Sequence, residues 1–183
     1  KTDCLVLAIG HSARDTFTLL KDKNLPMEAK AFAVGLRAEH PQTLINLYQY
    51  GQESSPYLGA ASYKLTHKCK NNRGVYSFCM CPGGKVVNAS SEENRLCTNG
   101  MSEFARDAEN SNSALLVGIN PDDYESDHPL AGMYLQRRLE SKVFVAGGEN
   151  YNAPIQRVDD FLNNKKSTHL GDVKPSIGPN YEF

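Results

Sequence analysis

Neither sign of charge dominates this chain: 20 Lys and Arg stand against 21 Asp and Glu, a formal net charge of −1. That balance excludes a global field recruiting nucleic acid, an anionic membrane or an acidic substrate, so partners have to be sought in local sites. No apolar run approaches the ~18 residues of a membrane span, and no basic stretch leads into an apolar core with a small-residue cleavage site. Cysteine is sparse as well. The five thiols, at positions 4, 69, 79, 81 and 97, lack the density of a small secreted scaffold and point to a reducing, cytoplasmic setting. A full GxGxxG is missing, and without that turn a dinucleotide pyrophosphate has no helix N-terminus to sit on. Nothing has the local sequence of a Ser-His-Asp or Cys-His catalytic arrangement.

What is present suffices for one domain with a proper core: 183 residues, 40% hydrophobic and 22% charged. The chain opens at Lys1 without a methionine, and Cys4 to Ile9 (CLVLAI) reads as a buried strand. Gly10 stops it, and Ser12 is expected to cap a helix whose Ala13, Phe17 and Leu20 share a face. The alternation in Lys30 to Glu39 predicts a strand, and Leu44, Leu47 and Tyr48 predict a helix opening at Pro41 and closing before Gly51. Tyr63 to Cys69, Val75 to Cys81 and Lys85 to Ala89 read as three strands of a small antiparallel meander, turning at Asn71–Gly74 and Pro82–Gly84. Ser102 to Asn110 has the form of a short helix and Ala114 to Ile119 of a buried strand. Leu135, Leu139, Val143 and Ala146 recur at helical spacing until Gly147-Gly148. Val158, Phe161 and Leu162 suggest a last helix. Helices and hairpins come mixed, so the expected class is α+β, with an antiparallel meander or partial barrel at its core.

Four stretches carry polar or reactive groups in suggestive patterns. A hydrophobic strand running into Gly10, His11 and Ser12 is what a doubly wound fold places where backbone approaches a dinucleotide; an ordinary buried strand with a turn is the plainer reading. On a regular strand Cys79 and Cys81 would share one face, either as packing residues or as a redox or metal-binding pair, and Gly83-Gly84 would leave main-chain amides open to a ligand. Asn99, Gly100, Met101 and the run Asn110–Ser113 read as an ordered polar loop, or as a hydrogen-bonding wall for a flavin or polar substrate. Arg37 and Glu39 are expected to form a solvated ion pair. His40 projects from the opposite face and can act as an acid or base if buried near a cleft, while His67 is expected to be a satisfied core histidine.

The strings LAIGHSARDTF, AVGLRAEHPQ, GVYSFCMCPGG, TNGMS and ENSNSALLV with DHPLAG, in this order and spacing, resemble the uncharacterised FAD-dependent dehydrogenases of bacteria. The resemblance covers nearly the whole chain and is most specific at SFCMCPGG and TNGMS. It implies a parent polypeptide whose FAD-binding fold lies largely outside this sequence. Residues 1–12 would then be a remnant of that fold, 13–174 an inserted substrate or cap domain, and 175–183 a return segment. The isolated chain would be inactive and would not hold FAD tightly. Gly10, His11 and Ser12 become cofactor-side candidates, and Cys79, Met80, Cys81, Pro82, Gly83, Gly84, Asn99, Gly100 and Met101 candidates for the substrate cleft. The implied partners are the remaining FAD-binding domain and a small-molecule substrate. An inserted domain also needs its ends close together, which would set Cys4–Ile9 beside the segment near Pro175. A free-standing ligand-binding or protein-interaction module is the alternative, and a thiol redox or metal site at Cys79 and Cys81 a second.

Overall fold

In the computed structural model, which describes residues 2–177 and 179–180, the chain is α+β with antiparallel sheets and no closed barrel. In order it forms α1 (Arg14–Asp22), β1 (Phe32–Pro41), α2 (Gln42–Tyr50), β2 (Thr66–Lys68), β3 (Gly74–Cys81), β4 (Gly84–Asn88), β5 (Thr98–Ser102) and β6 (Asn110–Ile119). A single helical turn at Pro121–Asp123, α3 (Ala131–Ala146), β7 (Ala153–Pro154), α4 (Val158–Leu162) and β8 (Pro179–Asn180) follow. Among the described residues, no helix is long and apolar enough to cross a membrane.

The main sheet has the order β1-β6-β3-β2. The central strand is therefore β6, antiparallel to β1 on one side and to β3 on the other. β2 and β3 form the expected hairpin, turned at Asn72 with φ +65°. The expected third meander strand goes elsewhere. Gly83, at φ +48°, turns the chain away, and β4 pairs with β5 in a second two-stranded sheet. A side chain at Gly83 would run into the backbone of Arg106, so this turn has room only for glycine.

Register fixes the faces, because residues directly opposite each other point to the same side. Leu36, Ala38 and His40 stand opposite Leu115, Ser113 and Ser111, and these six share one face. Arg37 and Glu39 stand opposite Ala114 and Asn112 on the other. The first face carries a polar cluster at one end and Phe32 stacked on Tyr124 at the other, with Leu36, Leu65 and Leu115 exposed between them.

Three expectations fail for physical reasons. Cys4–Ile9 is not a strand: nothing among the described residues pairs with it, and Leu5 and Val6 are 75% and 81% exposed. No hydrogen bond among the described residues joins it to the segment near Pro175, where Ser176 bonds instead to Val86 and Glu39. Within the expected return segment, residues 178 and 181–183 lie outside the described residues. Residues 103–109 turn without forming a helix, held by Arg106 N–H to the Glu103 carbonyl and Ala108 N–H to the Gly83 carbonyl. His67 is exposed, since β2 lies at the sheet edge.

A second core lies away from the main sheet, where Leu96, Phe144 and Ala153 pack with Val143 and Ile177. Beside it sits an ionic hub. Arg14, 5% exposed, grips both carboxylate oxygens of Glu140 at 2.7 Å and reaches Glu92 at 2.6 Å, joining α1 to α3. Arg137 and Arg95 complete the ring around Glu92. Hydrogen bonds from Arg137 foremost, and then from Arg14, outweigh burial and hold the Glu92 carboxyl down at about 2.

That depression predicts acid sensitivity. Between the ordinary value of 4.5 and about 2 the unfolded chain binds a proton that the folded chain refuses. Stability present above pH 4.5 therefore drains as pH falls toward 2, which thermal melts across that range will register. Arg14→Ala strands Glu140 and is expected to cost about 3 kcal/mol, read by denaturant unfolding.

Candidate functional site

The candidate site gathers at the end of the main sheet where β6 begins. Its base is a run of four polar residues, Asn110, Ser111, Asn112 and Ser113, of which the last three are fully buried. Their sequence suggests a loop, because short amides and hydroxyls favour local turns. They are strand because each has a tertiary partner. Asn110 donates to Glu39 and to the Lys174 carbonyl, at 3.0 and 2.8 Å, and Ser113 donates to backbone carbonyls of Ala114 and Phe78.

On one face Arg37 is the centre. Its Nη1 donates to Asn112 Oδ1 at 2.7 Å and its Nη2 to Asn99 Oδ1 at 3.1 Å, while the Cys79 carbonyl lies at 3.5 Å, too far to contribute much. The expected Arg37–Glu39 pair does not form. Glu39 accepts from Asn110 and from the Ser176 backbone instead, leaving Arg37 with neutral acceptors. Gly100 brings β5 flat against this cluster, where a side chain would collide with Asn112 and Arg37 and meet Cys81 Sγ at 2.9 Å.

The cysteine pair is split. A bulge between Phe78 and Cys81, with Cys79 at φ +44°, breaks the alternation that would have set both thiols on one face. Cys79 is exposed, whereas Cys81 is buried and its thiol donates to the Cys79 carbonyl at 3.2 Å. No group of three or more His, Cys, Asp or Glu side chains able to hold a metal occurs among the described residues. Pro82, Gly83 and Gly84 are buried too, and the Gly83 amide is closed to a ligand: its N–H donates to Gln42 Oε1 at 2.7 Å, while the Pro82 carbonyl accepts from Ser102. They form a floor. Of the other cleft candidates, Asn99 and Gly100 meet at Arg37, while Met101 is 62% exposed and Met80 half-buried. Gly10, His11 and Ser12 lie in an exposed turn before α1; the Ser12 hydroxyl bonds to His11, and its carbonyl accepts from Arg14 N–H.

The opposite face carries His40. Its Nδ1 bonds to Ser111 Oγ at 2.9 Å and its Nε2 to Tyr63 OH at 2.8 Å, so both ring nitrogens are engaged. Burial pushes the His40 pKa below 6.5 and the Tyr63 phenol above its usual value. A neutral imidazole donating through one nitrogen and accepting through the other suits both hydroxyl neighbours.

A family model described as "FAD-dependent protein, C-terminal domain-like" matches residues 31–183. The chain belongs to this family. The match begins just before β1 and takes in β1, β3, β5 and β6, the strands that assemble the Arg37 cluster. The chain is also similar to an uncharacterised protein of Clostridium beijerinckii, 56% identical over 183 residues, which covers 99% of this chain and 34% of that protein. It thus spans about a third of the relative's length. In this FAD-dependent family domain, then, SFCMC, TNGMS and NSNS come from separate strands and converge on one sheet end.

The imidazole environment gives a direct check. In NMR spectra His40 should titrate below 6.5, with the neutral form kept through mildly acidic pH and stability falling as the ring is forced to protonate. A titration at or above 6.5 would contradict the burial.

Proposed function

We propose that this domain is the substrate or cap domain of an FAD-dependent oxidoreductase of the dehydrogenase type, inserted into the flavin-binding fold of a longer polypeptide. The observation that carries the reading is the meeting of the family's polar strings at Arg37, in a domain that accounts for 34% of its relative's length. FAD, when bound, accepts or gives a hydride or electron pair, and the protein's share is to orient the substrate and exclude water.

The residues fit one flank of such a site. They do not supply the cradle for the dinucleotide pyrophosphate, because the sequence has no GxGxxG. What they offer is an edge of fixed donors, Arg37 and Asn99, on a bed of buried amides, together with a glycine turn. Gly10, at φ +73°, has open space where a side chain would be, so a cofactor can approach its backbone. His11 and Ser12 continue that turn as the other cofactor-side residues. In this reading Asn99 and Cys79, which are exposed, and Gly100, which is half-buried, would form the rim of the cleft, with the buried Cys81 and Pro82–Gly84 beneath them.

Exposed apolar surface supports the partner in this reading. Leu5, Val6, Leu7 and Ile9 form an extended apolar stretch without a sheet, and Leu36, Leu65 and Leu115 leave a sheet face bare. Contiguous apolar surface of this kind marks an interface, and the partner proposed for it is the flavin-binding part of the same polypeptide. Inside that fold Cys4–Ile9 would become the strand its sequence suggests, side by side with the segment near Pro175.

The test compares this chain with the full-length Clostridium beijerinckii relative. The longer protein should retain FAD through gel filtration, while the isolated chain should be colourless and should not oxidise NAD(P)H. Tight FAD binding with turnover by the isolated chain would overturn the reading.

A further inference from the structure

Six arginines, at 14, 73, 95, 137, 138 and 157, each meet a carboxylate. Arg37 and Arg106 meet none among the described residues; Arg106 is exposed, whereas Arg37 is only partly so. A guanidinium has five N–H donors. Asn112 and Asn99 each take one, and a third points weakly to the Cys79 carbonyl, which leaves the Nε–H and one Nη2 hydrogen unused among the described residues. Two donors on adjacent nitrogens are what a carboxylate's two oxygens take up.

A second observation comes from the residue that holds Arg37. Asn112 is fully buried, and its Nδ2 has no partner among the described residues. Leaving a buried donor empty costs free energy, and in native proteins such an exception calls for a reason. Here the amide turns its oxygen to Arg37 at the expense of its nitrogen, so the chain gives up one hydrogen bond to keep the cation aimed. An aspartate at this position would grip Arg37 more firmly and would also neutralise it. The structure thus keeps a positioned charge without an internal counter-ion. Phe78 lies on the same sheet face across the central strand: Arg37 and Phe78 flank Ala114 from opposite sides, and Phe78 is 54% exposed.

We infer that Arg37 is a binding residue for the carboxylate of a small organic acid, whose apolar body lies over Phe78. The inference deepens the cleft proposed above and rests on that reading for calling the acid a substrate; the anion site itself rests on Arg37, Asn112 and Asn99.

NMR titration of the chain with benzoate, neutral benzamide and inorganic phosphate tests it. Benzoate should shift the Arg37 Nε–H and Asn112 side-chain signals saturably and bind at least about tenfold more tightly than benzamide, the discrimination expected when one charged hydrogen-bonded pair is lost. Arg37→Gln and Asn112→Asp should each weaken benzoate by about tenfold or more. Asn112→Asp is nearly isosteric, so a native-like spectrum with binding lost separates neutralisation from unfolding. Equal binding of benzamide, unchanged affinity in Asn112→Asp, absence of any saturable shift, or phosphate binding more tightly than benzoate would each overturn the carboxylate assignment. Failure of the full-length relative to retain FAD, with the benzoate site intact, strikes the flavin reading alone; loss of the benzoate site with FAD retained strikes this inference alone.

Discussion

Four consecutive polar side chains buried at the start of the central strand are the constraint around which the rest of this sheet is arranged. Taking amides and hydroxyls out of water is unfavourable unless each finds a partner. The partners come from both neighbouring strands and from the distant segment near Lys174. Because side chains alternate along β6, the same run holds Arg37 and Glu39 on one face and His40 on the other. One stretch of backbone therefore orients a cation and a neutral imidazole toward opposite sides of a single sheet.

Around that centre the molecule divides its charged groups by purpose. The ring of Arg14, Arg95 and Arg137 about Glu92 and Glu140 is compensated charge against charge, and it clamps the first helix, which lies outside the family match, onto α3. Arg37 is held by the Asn112 and Asn99 amides, with no carboxylate on it among the described residues. Buried ion pairs fix structure, whereas a cation fixed by neutral acceptors is available for recognition. The apolar surface shows a similar division: Leu96, Phe144 and Ala153 are covered, but the extended stretch at Leu5–Ile9 and the Leu36–Leu115 face are not.

Much of this was legible in the sequence. Periodicity located β1, α2, β3 and α3, glycine marked the end of α2 at Gly51, and the family strings identified a domain of an FAD-dependent protein before any contact was known. Most of what failed depends on contacts far along the chain. Asn110–Ser113 looks like a loop until Arg37, Glu39 and His40 are beside it. Cys79 looks like a regular strand residue, and nothing in its type announces a left-handed backbone. Gly83-Gly84 suggested open amides, yet the buried Gln42 side chain closes one of them. Arg37 itself was noticed as a charge, but its freedom from Glu39 follows only from where Asn110 sits.

The most direct test of this account is the structure of the full-length Clostridium beijerinckii relative with flavin bound. The edge formed by the counterparts of Arg37, Asn99 and Cys79 is predicted to face the isoalloxazine ring across a closed cleft, with the stretch corresponding to Cys4–Ile9 paired in the flavin-binding sheet. If that edge opens to bulk solvent on the side away from the ring, the domain is not the wall of the flavin's cleft.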